Sequence, residues 1–120
     1  MGKMMNMKKI FLLSSLLTFT SISFAQCDYP KKNFDIPTGK NNTNEEMMEV
    51  LGKFRQFQSD LEIYRNCLDD ELSRISTDLE NYPDIKKMSD DKYDAAVLFE
   101  QQLGEEMNSA IREYNKAQKK

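Results

Sequence analysis

Histidine and tryptophan are both absent from the 120 residues. Without histidine the chain lacks the commonest general base near neutral pH and the commonest metal ligand. Glycine is scarce, and past the first turn of sequence only Gly39, Gly52 and Gly104 occur, too scattered for a phosphate-cradling loop. No serine stands in a nucleophile-elbow context. The two cysteines, Cys27 and Cys67, are too far apart in sequence for a Cys-x-x-Cys redox pair. Carboxylates do run together at Asp69-Asp70-Glu71 and at Asp90-Asp91, with Asp94 nearby. Successive residues on a helix point in different directions, and neither run has the alternating oxygen ligands ending in glutamate of a calcium loop. They read as solvated charge. These absences leave no catalytic residue, no metal-ligand set and no cofactor to nominate, and the expectation is a protein that is not an enzyme.

What is present starts with an export pattern. Lys3, Lys8 and Lys9 form a basic n-region, Ile10 to Phe24 is an apolar stretch, and Ser23-Phe24-Ala25 supplies small residues at the −3 and −1 positions. Cleavage is therefore expected between Ala25 and Gln26. A retained membrane anchor would want about 20 mainly apolar residues, and Ser14, Ser15, Thr18, Thr20, Ser21 and Ser23 dilute this stretch. A lipoprotein signal would place a small residue before the modified cysteine, where Gln26 stands. Met7-Lys8-Lys9 also reads as a natural start, which would make residues 1–6 an upstream extension.

Removal of residues 1–25 takes three of the 17 basic residues and none of the 20 acidic ones, leaving 95 residues with a net charge of −6. That length suits one domain. The acidity argues against nucleic acid and against anionic membrane surfaces as partners. Export also places the chain in an oxidising compartment, periplasmic or extracellular, where Cys27 and Cys67 are expected to pair.

Residues 26–43 read as an extended arm. Pro30 and Pro37 forbid helix, Gly39, Asn41 and Asn42 break any strand, and Tyr29, Phe34 and Ile36 are spaced to lie along a neighbouring helix. Thr43-Asn44-Glu45-Glu46 fits a capping box. Met47, Val50, Leu51, Phe54, Phe57, Leu61, Tyr64 and Leu68 then recur at spacings of three and four, and Leu72, Ile75, Leu79 and Tyr82 continue the stripe. This predicts a first helix over about 44–82, stopped by Pro83. The seam is a/d up to Tyr64 and drifts to a/e beyond it, which suits a globular helical pair better than a strict coiled coil. Residues 83–88 are expected to connect to a second helix over about 90–118, with Ser89 as its N-cap. Tyr93, Ala96, Val97, Leu103, Met107, Ala110, Ile111 and Tyr114 form its stripe, on which Glu100 needs a partner or an exit to solvent. Small Ala96, Gly104 and Ala110 would let backbones approach. The fold class expected is all-α: an antiparallel two-helix hairpin, over 44–118, with its N-terminal arm tethered by one disulfide.

The tether is geometrically feasible. Thr43 to Cys67 spans ~36 Å as helix, while Cys27 to Thr43 can stretch to ~53 Å. The arm can double back along the first helix with slack. Intermolecular crosslinking is the alternative use of these cysteines.

Met47, Met48, Met88 and Met107 read as core and edge packing, or alternatively as an adaptable apolar surface for clients. A two-helix unit has little interior, so an exposed stripe edge is expected to engage a protein partner or a second copy. No membrane insertion is expected after cleavage.

Cys27-Asp28-Tyr29-Pro30, Ile36-Pro37-Thr38-Gly39, Thr43 with Glu45-Glu46-Met47, Tyr64 and Cys67, taken in order, give the chain a resemblance to a group of small exported two-cysteine helical proteins of gammaproteobacteria. It continues in Tyr93-Asp94-Ala95-Ala96, Met107-Asn108 and Arg112-Glu113-Tyr114, departing where the group carries Asn for Asp94 and Phe for Met107. It implies export and a helical fold, and it carries no activity with it. Function is then expected to lie in contacts, chaperone-like or as a stress adaptor, with a specific inhibitor or immunity-like binder as the alternative.

Overall fold

The computed structural model describes residues 26–119. The apolar leader, Ala25 on the near side of the expected cleavage point, and Lys120 lie outside the described residues; Gln26, on its far side, is exposed. Two helices make up the regular structure, α1 (Asn44–Ser73) and α2 (Tyr82–Gln118), with no strand among the described residues. They run antiparallel: Phe57 meets Phe99, Arg65 meets Glu100, and Phe54 lies opposite Gly104.

The capping box closes α1 as its sequence predicts. The Thr43 hydroxyl accepts from the Glu46 amide at 3.2 Å, and the Glu46 carboxylate accepts from the Thr43 amide at 3.1 Å. Two of the helix's orphan donors are thus satisfied, an arrangement worth about 1 kcal/mol. From there Met47, Val50, Phe54, Phe57, Leu61, Tyr64 and Leu68 are buried, alternating steps of three and four without a break. Ala96, Leu103, Met107 and Ala110 are their buried counterparts on α2.

The helix limits differ from those expected. α1 stops at Ser73 rather than near Tyr82, and α2 begins at Tyr82 rather than near residue 90. Pro83 does not terminate the first helix; it opens the second. A proline in a first turn lacks only an amide that would have no intrahelical partner, and its ring meets no preceding turn. Ser89, expected as an N-cap, therefore sits inside α2, and the connection is residues 74–81 rather than 83–88. α1 ends earlier because the Arg74 amide closes onto Glu71 and Leu72 carbonyls, and the Ser76 hydroxyl then takes the Asp78 amide at 3.3 Å. Serine and threonine in Ser76-Thr77 compete with helical bonding through such local contacts.

The arm supplies the third layer. Cys27 and Cys67 are joined, with their Cα atoms 5.6 Å apart. The arm then follows α1 back toward its start, with Tyr29 edge-on to Tyr64 at 5.0 Å and Phe34 edge-on to Phe57 at 5.8 Å. Phe57 in turn meets Phe99 of α2 at 6.0 Å, so an aromatic ladder crosses all three layers. Such pairs contribute roughly 0.5–1.5 kcal/mol each beyond their burial. At the far end buried Gly39, with φ +87°, turns the chain into α1. Its amide donates to the Asn42 side chain at 3.0 Å, and Asn42 Nδ2 donates to Glu46 at 3.0 Å, which couples the turn to the helix cap.

Candidate functional site

The described arm, from Gln26, covers only part of the hairpin, and the boundary of burial is sharp. Every buried residue of α1 lies at or before Leu68, and every buried residue of α2 lies at or after Ala96. Residues 69–95, which contain the end of α1, the connection and the first third of α2, include no buried residue. Their stripe remains apolar nonetheless. Leu72, Ile75 and Ile85 are partly buried, while Leu79 is 48% and Met88 59% exposed.

Between the two helices in this tip lies an open groove of about 100 Å³, walled by Leu68, Leu72 and Ile75 on one side and by Ile85 and Met88 on the other. Glu71 and Lys92 stand at its rim. The groove adjoins the Cys27–Cys67 bridge. At that rim, a Glu71 carboxylate oxygen lies within 4.8 Å of the Cys27 and Cys67 sulfurs. That trio is not a metal site as it stands, because both sulfurs are spent on the disulfide.

The tip also holds the charge. Residues 69–95 carry nine acidic and four basic side chains, a net charge of −5, whereas the rest of the described chain is close to neutral. Lys86 pairs with Asp90 at 2.5 Å and Lys87 with Asp91 at 2.6 Å, both on the exposed surface of α2. Hydrogen bonding to the aspartates, and then their charge, raises both lysines above the usual range. Asp69, Asp70 and Glu71 form no ion pair among the described residues. Of the two acidic runs, only Glu71 lines the groove, where Lys92 matches it in number and opposes it in sign.

Away from the tip, the uncovered side of the hairpin is closed by polar contacts. Arg65 Nη1 donates to Glu100 Oε2 at 2.6 Å, with the two side chains 16% and 25% exposed. Gln58 Nε2 reaches the other Glu100 oxygen at 3.5 Å, and the Arg65 guanidinium lies 6.0 Å from the Tyr93 ring centre. Glu100 has the partner its place on the stripe demands. A charge-assisted pair at this distance, shielded by its neighbours, ties α1 to α2 by direction as well as by contact.

The remaining sequence expectations divide cleanly. Cys27 and Cys67 are brought together within one chain. Met47 and Met107 are core residues, and Met48 and Met88 are exposed. Ala96 and Ala110 are buried as expected of close-approach positions, but Ala110 serves the arm: a Cβ added to Gly39 would lie 2.0 Å from the Ala110 carbonyl oxygen. Sequence reading took Gly39 only as a strand breaker and missed that contact. The signal was there in the Gly-Lys-Asn-Asn turn, but its partner lies 71 positions away. No protein-family model, curated protein or solved structure matches the chain. No helix among the described residues is long and apolar enough to cross a membrane.

Proposed function

We propose that this is a non-enzymatic protein exported to the periplasm or beyond, acting through protein–protein contacts as a chaperone-like or stress-adaptor protein. One observation carries the reading: a disulfide-pinned hairpin leaves 27 consecutive residues without a buried member while keeping their apolar stripe. An exposed apolar surface rimmed by charge is the usual mark of a contact site. The export pattern before Gln26 and the disulfide, a bond that oxidising compartments preserve, support the location. The resemblance to small exported two-cysteine proteins of gammaproteobacteria fits the same reading.

Crosslinking of the tagged protein in its native host, followed by mass spectrometry, tests it. Crosslinks from the tip residues to another protein are expected, as is suppression of aggregation of an unfolded client at stoichiometric ratio. Crosslinks confined to the arm-covered half would overturn the assignment of the surface. The second reading, a specific inhibitor or immunity-like binder, draws on the rigidity that the disulfide and the Arg65–Glu100 pair give the hairpin. A single stoichiometric band in a periplasmic pull-down favours the binder, and a broad set of clients favours the chaperone.

A further inference from the structure

We infer that the Glu71 carboxylate guards the Cys27–Cys67 bridge against reduction by thiolates, an inference that does not depend on the contact reading above. Glu71 stands four residues after Cys67 on α1, and side chains at that spacing share one helix face. The fold carries Cys27 to the same spot, so that a Glu71 oxygen and both sulfurs lie within 4.8 Å of one another. All three residues are only partly buried, so the bridge is not sealed inside the core. The arm leans heavily on that bridge. Among the described residues, the hydrogen bonds of residues 26–41 close within the arm and its turn into α1. Its other holds are side-chain packing, with Phe34 the most buried, and the fit of Gly39 against Ala110.

Reduction begins when a small thiolate attacks one bridge sulfur. A new sulfur–sulfur bond forms, the bridge bond breaks, and its electron pair leaves on the other cysteine sulfur as a thiolate. A second reagent thiolate resolves the mixed disulfide. Two reagent thiols are thereby oxidised to one disulfide, and Cys27 and Cys67 are reduced to two thiols that take up the reagent's protons. Each attack brings a net negative charge onto the sulfurs, a few ångströms from a carboxylate. Like charges at that range repel, which opposes both the arriving thiolate and the departing one. Reactive cysteines sit, by contrast, in electropositive surroundings. Glu71 forms no ion pair among the described residues, although Lys92 shares the groove rim with it. Arg65, the one basic residue within three positions of either cysteine, is held by Glu100 at 2.6 Å. Asp28, Asp69 and Asp70 fall within the same span and carry the same sign as Glu71.

The test is the rate at which the bridge opens in the disulfide-bonded wild type and in Glu71→Gln, read by alkylation of the freed thiols and mass analysis. Three small monothiols of different charge are the probes: mercaptoethanesulfonate, mercaptoethanol and cysteamine, with rates compared per thiolate. At low salt, Glu71→Gln is expected to speed opening by mercaptoethanol about fivefold. The gain is larger for the sulfonate, which carries a second negative charge, and smaller for cysteamine, whose ammonium offsets its thiolate. Salt at about 1 M, where the screening length is ~3 Å, removes most of the difference between wild type and variant. Glu71→Lys widens the spread among the three thiols in the same direction. Far-UV circular dichroism verifies that each variant keeps its helices. A substitution that merely loosens the bridge speeds all three thiols by one factor, and that result overturns the proposal. So does a rate that Glu71→Gln leaves unchanged.

Discussion

Gly39 presses its backbone onto the carbonyl of Ala110: a Cβ at Gly39 would stand 2.0 Å from that oxygen and 2.9 Å from the Tyr114 nitrogen. The arm thus crosses both helices, pinned covalently to α1 at one end and fitted sterically to α2 at the other. Gly39→Ala is expected to destabilise the domain by about 2 kcal/mol or more, since left-handed strain and overpacking against backbone add. At roughly 4–8 °C per kcal/mol for a domain of this size, thermal unfolding reads the effect easily. An unchanged midpoint would remove the arm from α2.

The covalent end is tested by Cys27→Ser with Cys67→Ser. A bridge separated by 40 residues in sequence stabilises by about 4 kcal/mol in the chain-entropy treatment. Denaturant unfolding of the double variant should show a loss of that order. Alkylation and mass analysis of the wild-type monomer should find no reactive thiol. Two labelled cysteines would dismantle the architecture.

Arg65 and Glu100 should behave as a shielded pair. Replacing Arg65 by Ala leaves the Glu100 carboxylate on the helix seam and should cost roughly 2 kcal/mol. Exchanging both for leucine should be near neutral, because an apolar pair of similar volume removes the desolvation of two charges. A double-mutant cycle on unfolding free energies measures the coupling, and additivity would mean that the pair is not formed.

The α1 cap predicts an acid-sensitive element. Hydrogen bonds from Asn42 and then from the Thr43 amide hold the Glu46 carboxyl below its ordinary value of 4.5. A depressed folded-state value contributes stability that is fully present above the unfolded value and is lost as pH falls through the folded one. Helix content followed from pH about 5 downward should therefore fall less steeply for Glu46→Gln than for the wild type. Parallel curves would deny Glu46 its role.

The revised helix limits make a separate claim. Ser89→Pro places the ring eight residues into α2 and should cost about 3 kcal/mol. Were Ser89 the N-cap that the spacing suggested, the same change would be mild. Circular dichroism and thermal melts decide between them.

Several features were legible because local rules sufficed. The capping box needs only four consecutive residues, and the seven buried positions of α1 repeat at helical spacing, so both could be read directly. The pairing of Cys27 with Cys67 followed from compartment, number and reach. Pro83 misled because its exclusion from helix interiors says nothing about which side of it the helix lies on. The stripe compounded this by running through Ile75, Leu79 and Tyr82 regardless of backbone conformation. Arg65 was invisible as the partner of Glu100, since many registers would bring some cation near that carboxylate.

Composition and order alone determined that this chain is helical, has no histidine, and can tie its N-terminal arm back to its first helix. Those properties follow from residue chemistry and from short-range periodicity, which act within a few turns of chain. Only the folded molecule decided which 27 residues, 69–95, stay without a buried member. Coverage depends on how three layers align over distances that no local pattern encodes: one glycine against a distant carbonyl, and one carboxylate at the mouth of a groove.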